Sequence, residues 1–336
     1  MRCKRLVAVC LLVMLPVLFA GRDARAGRKI SMAVEFVDHA AAAHIALKKG
    51  WFKEKGLEIS SFDNYITGIA LAAAMSHKGI DVAYMCLCPA ILAYANGHIP
   101  IKIVCGTHKY GYGCLVNPAK VGRPRDLLEP GIRIGCPREG SASDVFMNRF
   151  ITHFHLNRVD VLRRVRRMPP PNIMMAMKLG QLDAGFLPEQ FPTIGEAMGF
   201  ERLADASDVW PGMQGSVVAV RRSLIEENPE GVKAIVEVTR LGIDFINTHP
   251  KEASDIVSAA LQAEGSRIFP VKMTATLKDF QVTPSIILDS LTRHMTCDVG
   301  VDPRRVQEAI DAMARLGYIR RFKAEEILDL RWLRER

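Results

Sequence analysis

One pattern, a helical segment closed by glycine and followed by a short apolar strand, occurs once in each half of the chain. Residues 77–83 read His-Lys-Gly-Ile-Asp-Val-Ala, and residues 178–184 read Lys-Leu-Gly-Gln-Leu-Asp-Ala. Helices that alternate with strands in this way are typical of α/β folds. Asp81 and Asp183 hold equivalent positions, which favours a shared turn-forming role over a pair of catalytic acids. The repeat therefore predicts two similar α/β lobes.

The N-terminal segment shows how such a lobe begins. Apolar side chains alternate from Ile30 to Phe36, as expected of a strand. An alanine-rich helix follows and ends at Gly50, which can adopt the left-handed conformation that stops a helix. A second strand starts near Leu57. In an open α/β sheet, the loops at the carboxyl ends of strands form the ligand crevice, so we expect loop 37–39 to contact a ligand.

Two glycine-punctuated segments, near residues 106–115 and 212–216, are predicted to carry the chain from one lobe to the other. The second lobe, residues 114–213, is then inserted in the first, which comprises residues 27–113 and 214–336. The sequence thus predicts an α/β fold of two Rossmann-like lobes joined by a two-strand hinge around a cleft.

Local signals predict the remaining elements. Residues 86–89 follow a short buried strand and precede a helix that Pro89 begins and Gly97 closes, so they are predicted to form a loop. From Asn228 onward the chain is predicted to be mostly helical. The predicted helices cover residues 229–247, 251–262, 283–295, 303–316 and 324–332.

Residues 1–26 read as a secretory signal peptide. A basic start precedes an uncharged apolar stretch over residues 6–20, and residues 24–26 form a small-x-small cleavage site. The apolar stretch is shorter than the ~20 residues that a membrane span needs. We therefore expect cleavage near Ala26 and a periplasmic protein.

The charge of the chain argues against a nucleic-acid partner. The formal net charge is +9, and residues 1–26 hold five basic residues and one acidic residue, so +5 remains after cleavage. The one basic run, residues 163–167, has no aromatic residues interleaved with it, unlike a nucleic-acid-binding surface. We interpret this run as solvated surface.

Six cysteines follow the predicted signal peptide: Cys86, Cys88, Cys105, Cys114, Cys136 and Cys297. An even number permits disulfides in an oxidising compartment but does not specify them. Three roles stay open, namely buried packing, a soft surface for a metal or a sulfur-containing solute, and a disulfide such as Cys105–Cys114. The spacings Cys-x-x-Cys and His-x-x-x-His are absent from the sequence, so no dedicated metal site and no cofactor are predicted.

Six short segments, in order along the chain, together resemble one family. They are residues 46–57, 75–83, 132–135 with 140–141, 176–184, 228–234 and 245–253. On these residues the chain resembles the periplasmic solute-binding proteins of ABC importers, in the nitrate/sulfonate/taurine branch. The resemblance implies a type II periplasmic-binding-protein fold, a small-molecule solute, an importer permease in the inner membrane as the partner, and a monomer.

The resemblance also implies which residues contact the solute. Carried over position by position, they are Phe36, Asp38, His39, Thr67, Gly68, Cys86, Cys88, Gly140, Ser141, Phe186 and Glu189. Backbone N–H groups that begin helices at residues 67–68 and 140–141 suit an anionic group. Arg138 lies beside the second of these and could add charge-assisted hydrogen bonds.

The cysteines in these loops keep two alternatives open. Relatives usually have small hydroxyl residues after the third strand, where this chain has Cys86 and Cys88, with Cys136 on the facing loop. These three could bind a soft metal or a thiol ligand. The thiamine-pyrimidine synthases, an enzyme family that shares the fold, carry a cysteine-rich loop and an active-site histidine, which residues 86–88 match only in part. Since the predicted export argues against a cytosolic synthase, we favour a binding protein over an enzyme, with an anionic or sulfur-containing solute.

Overall fold

The first of two sheets is built around β1 (Ile30–Glu35), whose side chains are almost all buried in a computed structural model of the chain. The structure describes residues 29–77, 79–268 and 281–334, so the predicted signal peptide lies outside the described residues. β1 pairs in parallel with β2 (Ile59–Tyr65) on one side and with β3 (Val82–Cys86) on the other. The carboxyl ends of these three strands therefore meet at one edge of the sheet.

Antiparallel strands complete this sheet. β10 (Gln214–Arg221) lies between β3 and β4 (Ile101–Tyr110), and β11 (Met295–Cys297) pairs with β4. The strand order is β11-β4-β10-β3-β1-β2.

The second sheet has the order β7-β6-β8-β5-β9. Its strands are β5 (Tyr112–Val116), β6 (Ile134–Cys136), β7 (Val165–Arg167), β8 (Ala184–Pro188) and β9 (Glu201–Asp205). β6 is parallel to β7 and β8, whereas β5 is antiparallel to β8 and β9. Both sheets thus combine a parallel part with an antiparallel part.

The chain passes between the sheets twice. Gly111 alone separates β4 of the first sheet from β5 of the second, and it has a φ of +82°. A Cβ atom at this position would lie 2.9 Å from Nε2 of His39, so glycine is required for both conformation and space. The return runs over residues 210–213 into β10. Two mixed α/β sheets joined in this way confirm the predicted fold class.

Helices cover the sheets. They are α1 (Ala41–Lys49), α2 (Trp51–Glu54), α3 (Gly68–His77), α4 (Leu87–Ala95), α5 (Ala142–His153), α6 (Arg158–Leu162), α7 (Pro170–Lys178), α8 (Phe191–Ala197), α9 (Ala206–Val209), α10 (Arg222–Glu227), α11 (Pro229–Thr248), α12 (Pro250–Ile268), α13 (Pro284–Asp289) and α14 (Pro303–Arg315). Gly50 ends α1 in the left-handed conformation, as predicted.

Three local predictions differ from the structure. Residues 86–89 are not a loop, because Cys86 ends β3 and Pro89 lies within the first turn of α4, where a missing N–H costs nothing. Residues 283–295 leave the α-helical conformation after Asp289 and continue as a π-helical turn, Ser290–His294. Residues 324–332 form only short 3₁₀ turns, since the backbone near Leu328 pairs with Ile103 of β4 instead.

A continuous apolar cluster joins the two lobes. α4 of the first lobe packs against α5 of the second, and both belong to this buried cluster. At their contact, a Cβ atom on Gly140 would lie 2.7 Å from Cδ1 of Leu92. Gly140 also has a φ of +80°. The lobes are therefore in direct contact beside the cleft described below.

We predict that Gly242→Ala lowers the free energy of unfolding by about 1–3 kcal/mol, as overpacking usually does. A Cβ atom there would lie 2.7 Å from the backbone oxygen of Ala42, because α11 and α1 touch at this point. On an open helix face the same change would stabilise by ~0.5–1 kcal/mol. Urea unfolding measures the effect. Leu241→Ala, at an exposed position on the same helix, is the control and should change stability little; a stabilised Gly242→Ala variant would contradict the packing described.

Candidate ligand-binding cleft

A narrow cleft lies between the lobes, at the carboxyl ends of β1, β2 and β3. The first lobe lines it with Glu35, Val37, Ile66, Thr67, Gly68, Cys86 and Pro89, and the second with Tyr112, Pro137, Ser141, Ala142, Ser143, Pro170 and Pro188. The cavity volume is about 30 Å³, which is room for little more than one water molecule. In this conformation the two lobes are closed over the cleft.

Glu35, the last residue of β1, places a buried carboxyl group at the base of the cleft. Its Oε1 accepts a hydrogen bond from the backbone N–H of Cys86 (2.7 Å), and its Oε2 lies 3.1 Å from the Cys86 thiol, which donates to it. A Cβ atom on Gly68 would overlap Oε1, so α3 can begin here only with glycine. Burial raises the pKa of Glu35, and the two Cys86 hydrogen bonds lower it by less, so that the pKa is about 7.

His39 lies behind Cys86 and is held in one tautomer. Its Nε2 lies 3.0 Å from the carbonyl oxygen of Gly111, which can only accept, so Nε2 carries the hydrogen. Nδ1 is then an acceptor, 3.6 Å from the Cys86 thiol and 3.4 Å from the Ser216 hydroxyl. Burial, and then the neighbouring His108, hold the pKa of His39 well below its usual range. The ring is therefore neutral.

Tyr112 enters the cleft from the second lobe. Its side chain is fully buried and its ring meets the ring of His39 edge-on at 5.3 Å. The hydroxyl has the Cys86 thiol as its polar neighbour and, among the described residues, no hydrogen-bond partner of ordinary geometry. Burial, and then the charges of Cys86 and Glu35, raise the pKa of Tyr112. A buried hydroxyl in this state is available to a ligand.

A second buried polar group links the lobes next to the cleft. Oδ2 of Asp38 accepts a hydrogen bond from the Ser290 hydroxyl (2.6 Å), and the Asp38 N–H donates to Oε1 of Gln190 (2.9 Å). Burial, and then the charge of Glu189, raise the pKa of Asp38 well above its usual range. The Asp38 side chain thus bonds within the first lobe and its backbone N–H bonds to the second, while its Oδ1 has no hydrogen-bond partner among the described residues.

Arg202 organises an ion-pair cluster beyond Asp38. Its Nη1 lies 2.5 Å from Oε1 of Glu189 and 3.1 Å from Oδ1 of Asp205, and Oδ2 of Asp205 lies 2.6 Å from Nδ1 of His294. Donor atoms of Glu189, Asp205 and His294 lie within 4.8 Å of one another, a spacing that a metal ion could bridge. The guanidinium already pairs with both carboxylates, so we interpret the cluster as structural. It ties the end of β9 to the turn before β11.

Comparison with known proteins supplies the family. The sequence matches the NMT1-like family over residues 24–262, more than half of the chain.

The chain belongs to the NMT1-like family.

Relatives and solved structures agree with this assignment. A Brucella abortus protein, named only as a candidate binding protein, is 28% identical over 143 residues, which cover 41% of this chain and 43% of that relative. The chain thus matches less than half the length of these curated relatives.

Solved structures share the fold over most of the chain. The nitrate-binding protein NrtA of Synechocystis has a TM-score of 0.72 at 14% identity, covering 91% of this chain and 87% of that one. The alkanesulfonate-binding protein SsuA of Xanthomonas axonopodis, bound to MOPS, has a TM-score of 0.71 at 14% identity, covering 90% and 98%. A ligand-binding component of an ABC-type import system from Staphylococcus aureus, with zinc bound, has a TM-score of 0.70 at 16% identity, covering 91% and 98%. These similarities confirm the periplasmic-binding-protein fold.

The structure brings some of the predicted site residues of this NMT1-like protein into the cleft and leaves others outside it. Thr67, Gly68, Cys86 and Ser141 line the cleft. Asp38 and His39 lie directly behind it, in the contacts described above. The solute contacts predicted for these residues remain predictions.

The other predicted site residues have different surroundings. Phe36, Cys88, Cys136 and Phe186 are buried in hydrophobic clusters, with Phe186 between the rings of Phe146 and Phe150. Arg138 is exposed, Gly140 packs on Leu92, and Glu189 pairs with Arg202. All six cysteines described, from Cys86 to Cys297, are free thiols.

Glu35 and Tyr112 are site residues that sequence reasoning missed. Glu35 had a usable signal, since it is the one charged residue of a mostly apolar strand and stands at its carboxyl end. Tyr112 had no usable signal, because a tyrosine between two glycines in a predicted crossing has no feature that indicates which lobe it faces.

We predict that Glu35→Gln changes how stability depends on pH. The pKa of Glu35 is raised from 4.5 to about 7 by folding, so the native state loses stability as pH rises through this interval, when a buried charge forms. Relative to the unmodified protein, the variant should gain about 2 kcal/mol between pH 5 and pH 8. Urea unfolding at both values tests this. Glu139→Gln, at an exposed position on the facing loop, is the matched control and should leave the pH profile as it is.

We also predict a pH effect from His294. Burial alone lowers the pKa of this imidazole, but the Asp205 hydrogen bond and the charge of Glu189 outweigh it, and the net pKa lies above 6.5. The stabilisation is therefore complete below pH 6.5 and is lost as pH rises through the raised value. His294→Gln should be destabilised more at pH 6 than at pH 8, measured by thermal unfolding. The exposed His153→Gln is the control, and equal effects at both pH values would refute the assignment.

Proposed function

We propose that this protein is a periplasmic solute-binding protein, which captures a small molecule between two lobes and delivers it to the permease of an ABC importer. The observation that carries the proposal is the cleft itself, because two lobes that meet at two chain crossings line it from both sides. A solute can contact both lobes only when they are closed, and its binding therefore stabilises the closed state. The sequence predicts residues 27–113 and 214–336 as one lobe and residues 114–213 as the other; we propose this division with the first boundary moved to Gly111, because β5 of the second sheet begins at Tyr112.

The comparisons support this proposal. One structural neighbour is named as a ligand-binding component of an ABC-type import system, and two others are named for the nitrate or alkanesulfonate that they bind. Within the described residues, every helix is too short or too polar to cross a bilayer.

The proposed solute contacts are those that line the cleft. Thr67, Gly68, Cys86 and Ser141 come from the sequence prediction, and Glu35 and Tyr112 are added by the geometry. The synthase alternative receives weaker support. Although the Cys86 thiol is 3.6 Å from His39, burial and the charge of Glu35 raise the pKa of Cys86 well above its usual range. A protonated thiol is a poor nucleophile.

Native mass spectrometry of the protein purified from periplasm tests for a bound solute. Unchanged solute that co-purifies and is taken up by cells only when the protein is present would support the proposal. Release of a chemically altered product on incubation would support the enzyme instead.

We predict that Gly68→Ala weakens solute binding at least about tenfold, or ~1.4 kcal/mol. The new methyl group would displace the Glu35 carboxyl group into the cleft. Gly79→Ala is the matched control, because a Cβ atom there meets nothing within 4 Å. Calorimetry with the co-purified solute measures both affinities. Equal affinity in the two variants would place the solute elsewhere.

A further inference from the structure

The cleft contains helix N-termini that would ordinarily attract an anion. α3 begins at Gly68 and α4 begins directly after Cys86, and both positions line the cavity. Unpaired backbone N–H groups and the helix dipole favour a negative charge at such a place. In this chain the negative group is already present. The Glu35 carboxyl accepts from the Cys86 N–H and fills the space over Gly68.

At the third helix that reaches the cleft, α5, the protein also supplies acceptors for the backbone N–H groups of the N-terminus. α5 begins after Ser141, whose hydroxyl accepts a hydrogen bond from the Asp144 N–H (3.2 Å). Oδ2 of Asp144 in turn accepts from the Gly140 N–H (3.1 Å). The anion position of this helix is therefore also held by an acidic residue of the protein.

Asp144 is balanced by Arg167, whose Nη1 lies 2.7 Å from its Oδ1, but Glu35 has no such cationic partner among the described residues of the cleft. Among the described residues that line it, none is lysine or arginine, and Arg138 on the adjacent loop is exposed to solvent. Above pH 7, where Glu35 is mostly ionised, an anionic solute would therefore meet a charge of the same sign, with no lysine or arginine among the described lining residues to compensate either charge. Such a buried, uncompensated charge is strongly unfavourable.

Two buried acceptor groups face each other at the base of the cleft. Glu35 offers further lone pairs on its carboxyl oxygens, and the fully buried Tyr112 hydroxyl faces it across the Cys86 thiol without an ordinary hydrogen-bond partner in the described chain. The surrounding walls are mostly apolar, for example Val37, Ile66 and Pro89, and they also contain the hydroxyl residues Thr67, Ser141 and Ser143.

We infer that the cleft selects a small solute whose buried end is a protonated amine, which pairs with the carboxylate of Glu35 and donates a hydrogen bond to the hydroxyl of Tyr112. The inference rests on the proposed solute-binding function and replaces the anionic solute that the sequence suggested.

The inference implies that affinity depends on pH. The titratable groups that face Glu35 are Cys86, Cys88 and Tyr112, whose pKa values burial raises, with His39 behind them, whose pKa burial lowers. Among the groups named, Glu35 is therefore the one expected to change charge near neutral pH. Because its pKa is about 7, an amine that binds at pH 6 must expel the carboxyl proton. Affinity should rise up to about tenfold per pH unit below pH 7 and level off above it.

Calorimetry against matched probes tests the inference. The probes are short alkylamines and the carboxylates and sulfonates of the same carbon skeletons, with nitrate added. We expect binding by amines alone, with proton release at pH 6 that is seen as a dependence of the heat on the buffer. Glu35→Gln should lower amine affinity at least tenfold at pH 8 and abolish the proton release. Glu139→Gln, the exposed control, should do neither.

Results that would refute the amine solute differ from results that would refute the solute-binding function. Binding of anions that Gly68→Ala weakens, or amine binding that Glu35→Gln leaves unchanged, would overturn the amine assignment while the protein remained a solute-binding protein. Amine probes that fail to bind at millimolar concentration would also overturn it. Only the absence of any co-purified or transported solute would count against the function itself.

Discussion

The parallel pairing of β1 with both β2 and β3 is the constraint on which the rest of the structure depends. It brings three carboxyl ends to one edge of the first sheet, and two helices begin immediately beyond that edge. Every first-lobe residue of the cleft follows from this arrangement. The second lobe then needs only to meet the same edge, which the single-residue crossing at Gly111 ensures by starting β5 where β4 ends.

Burying a carboxyl group at that edge limits what the neighbouring positions can be. Glu35 is tolerated because a backbone N–H and a thiol of Cys86 donate to it, and because Gly68 leaves space for it. The same burial weakens its acidity, so the group is close to the balance between neutral and charged forms. A site with this property responds to the charge of what it binds rather than only to its shape.

Sequence patterns predicted the α/β class, the two lobes and several cleft residues because these depend on local periodicity and on glycine positions. Gly50 and Ser141 act at the helix ends where their residue types suggested. Tertiary contacts decided the places where prediction differed from the structure. Residues 324–332 read as a helix, yet Leu328 and Asp329 pair with Ile103. The roles of Phe186 and Cys136 could not be read from the sequence, because being at the end of a strand does not reveal which side of the sheet a residue faces.

The distribution of thiols has a practical consequence. Five of the cysteines, at positions 86, 88, 105, 114 and 136, are buried and form no disulfide, and they are spread over both lobes. The described part of the native fold therefore contains no disulfide. A thiol reagent can reach these buried sulfur atoms only after local unfolding. The labelling rate of each cysteine therefore reports local unfolding in its own lobe.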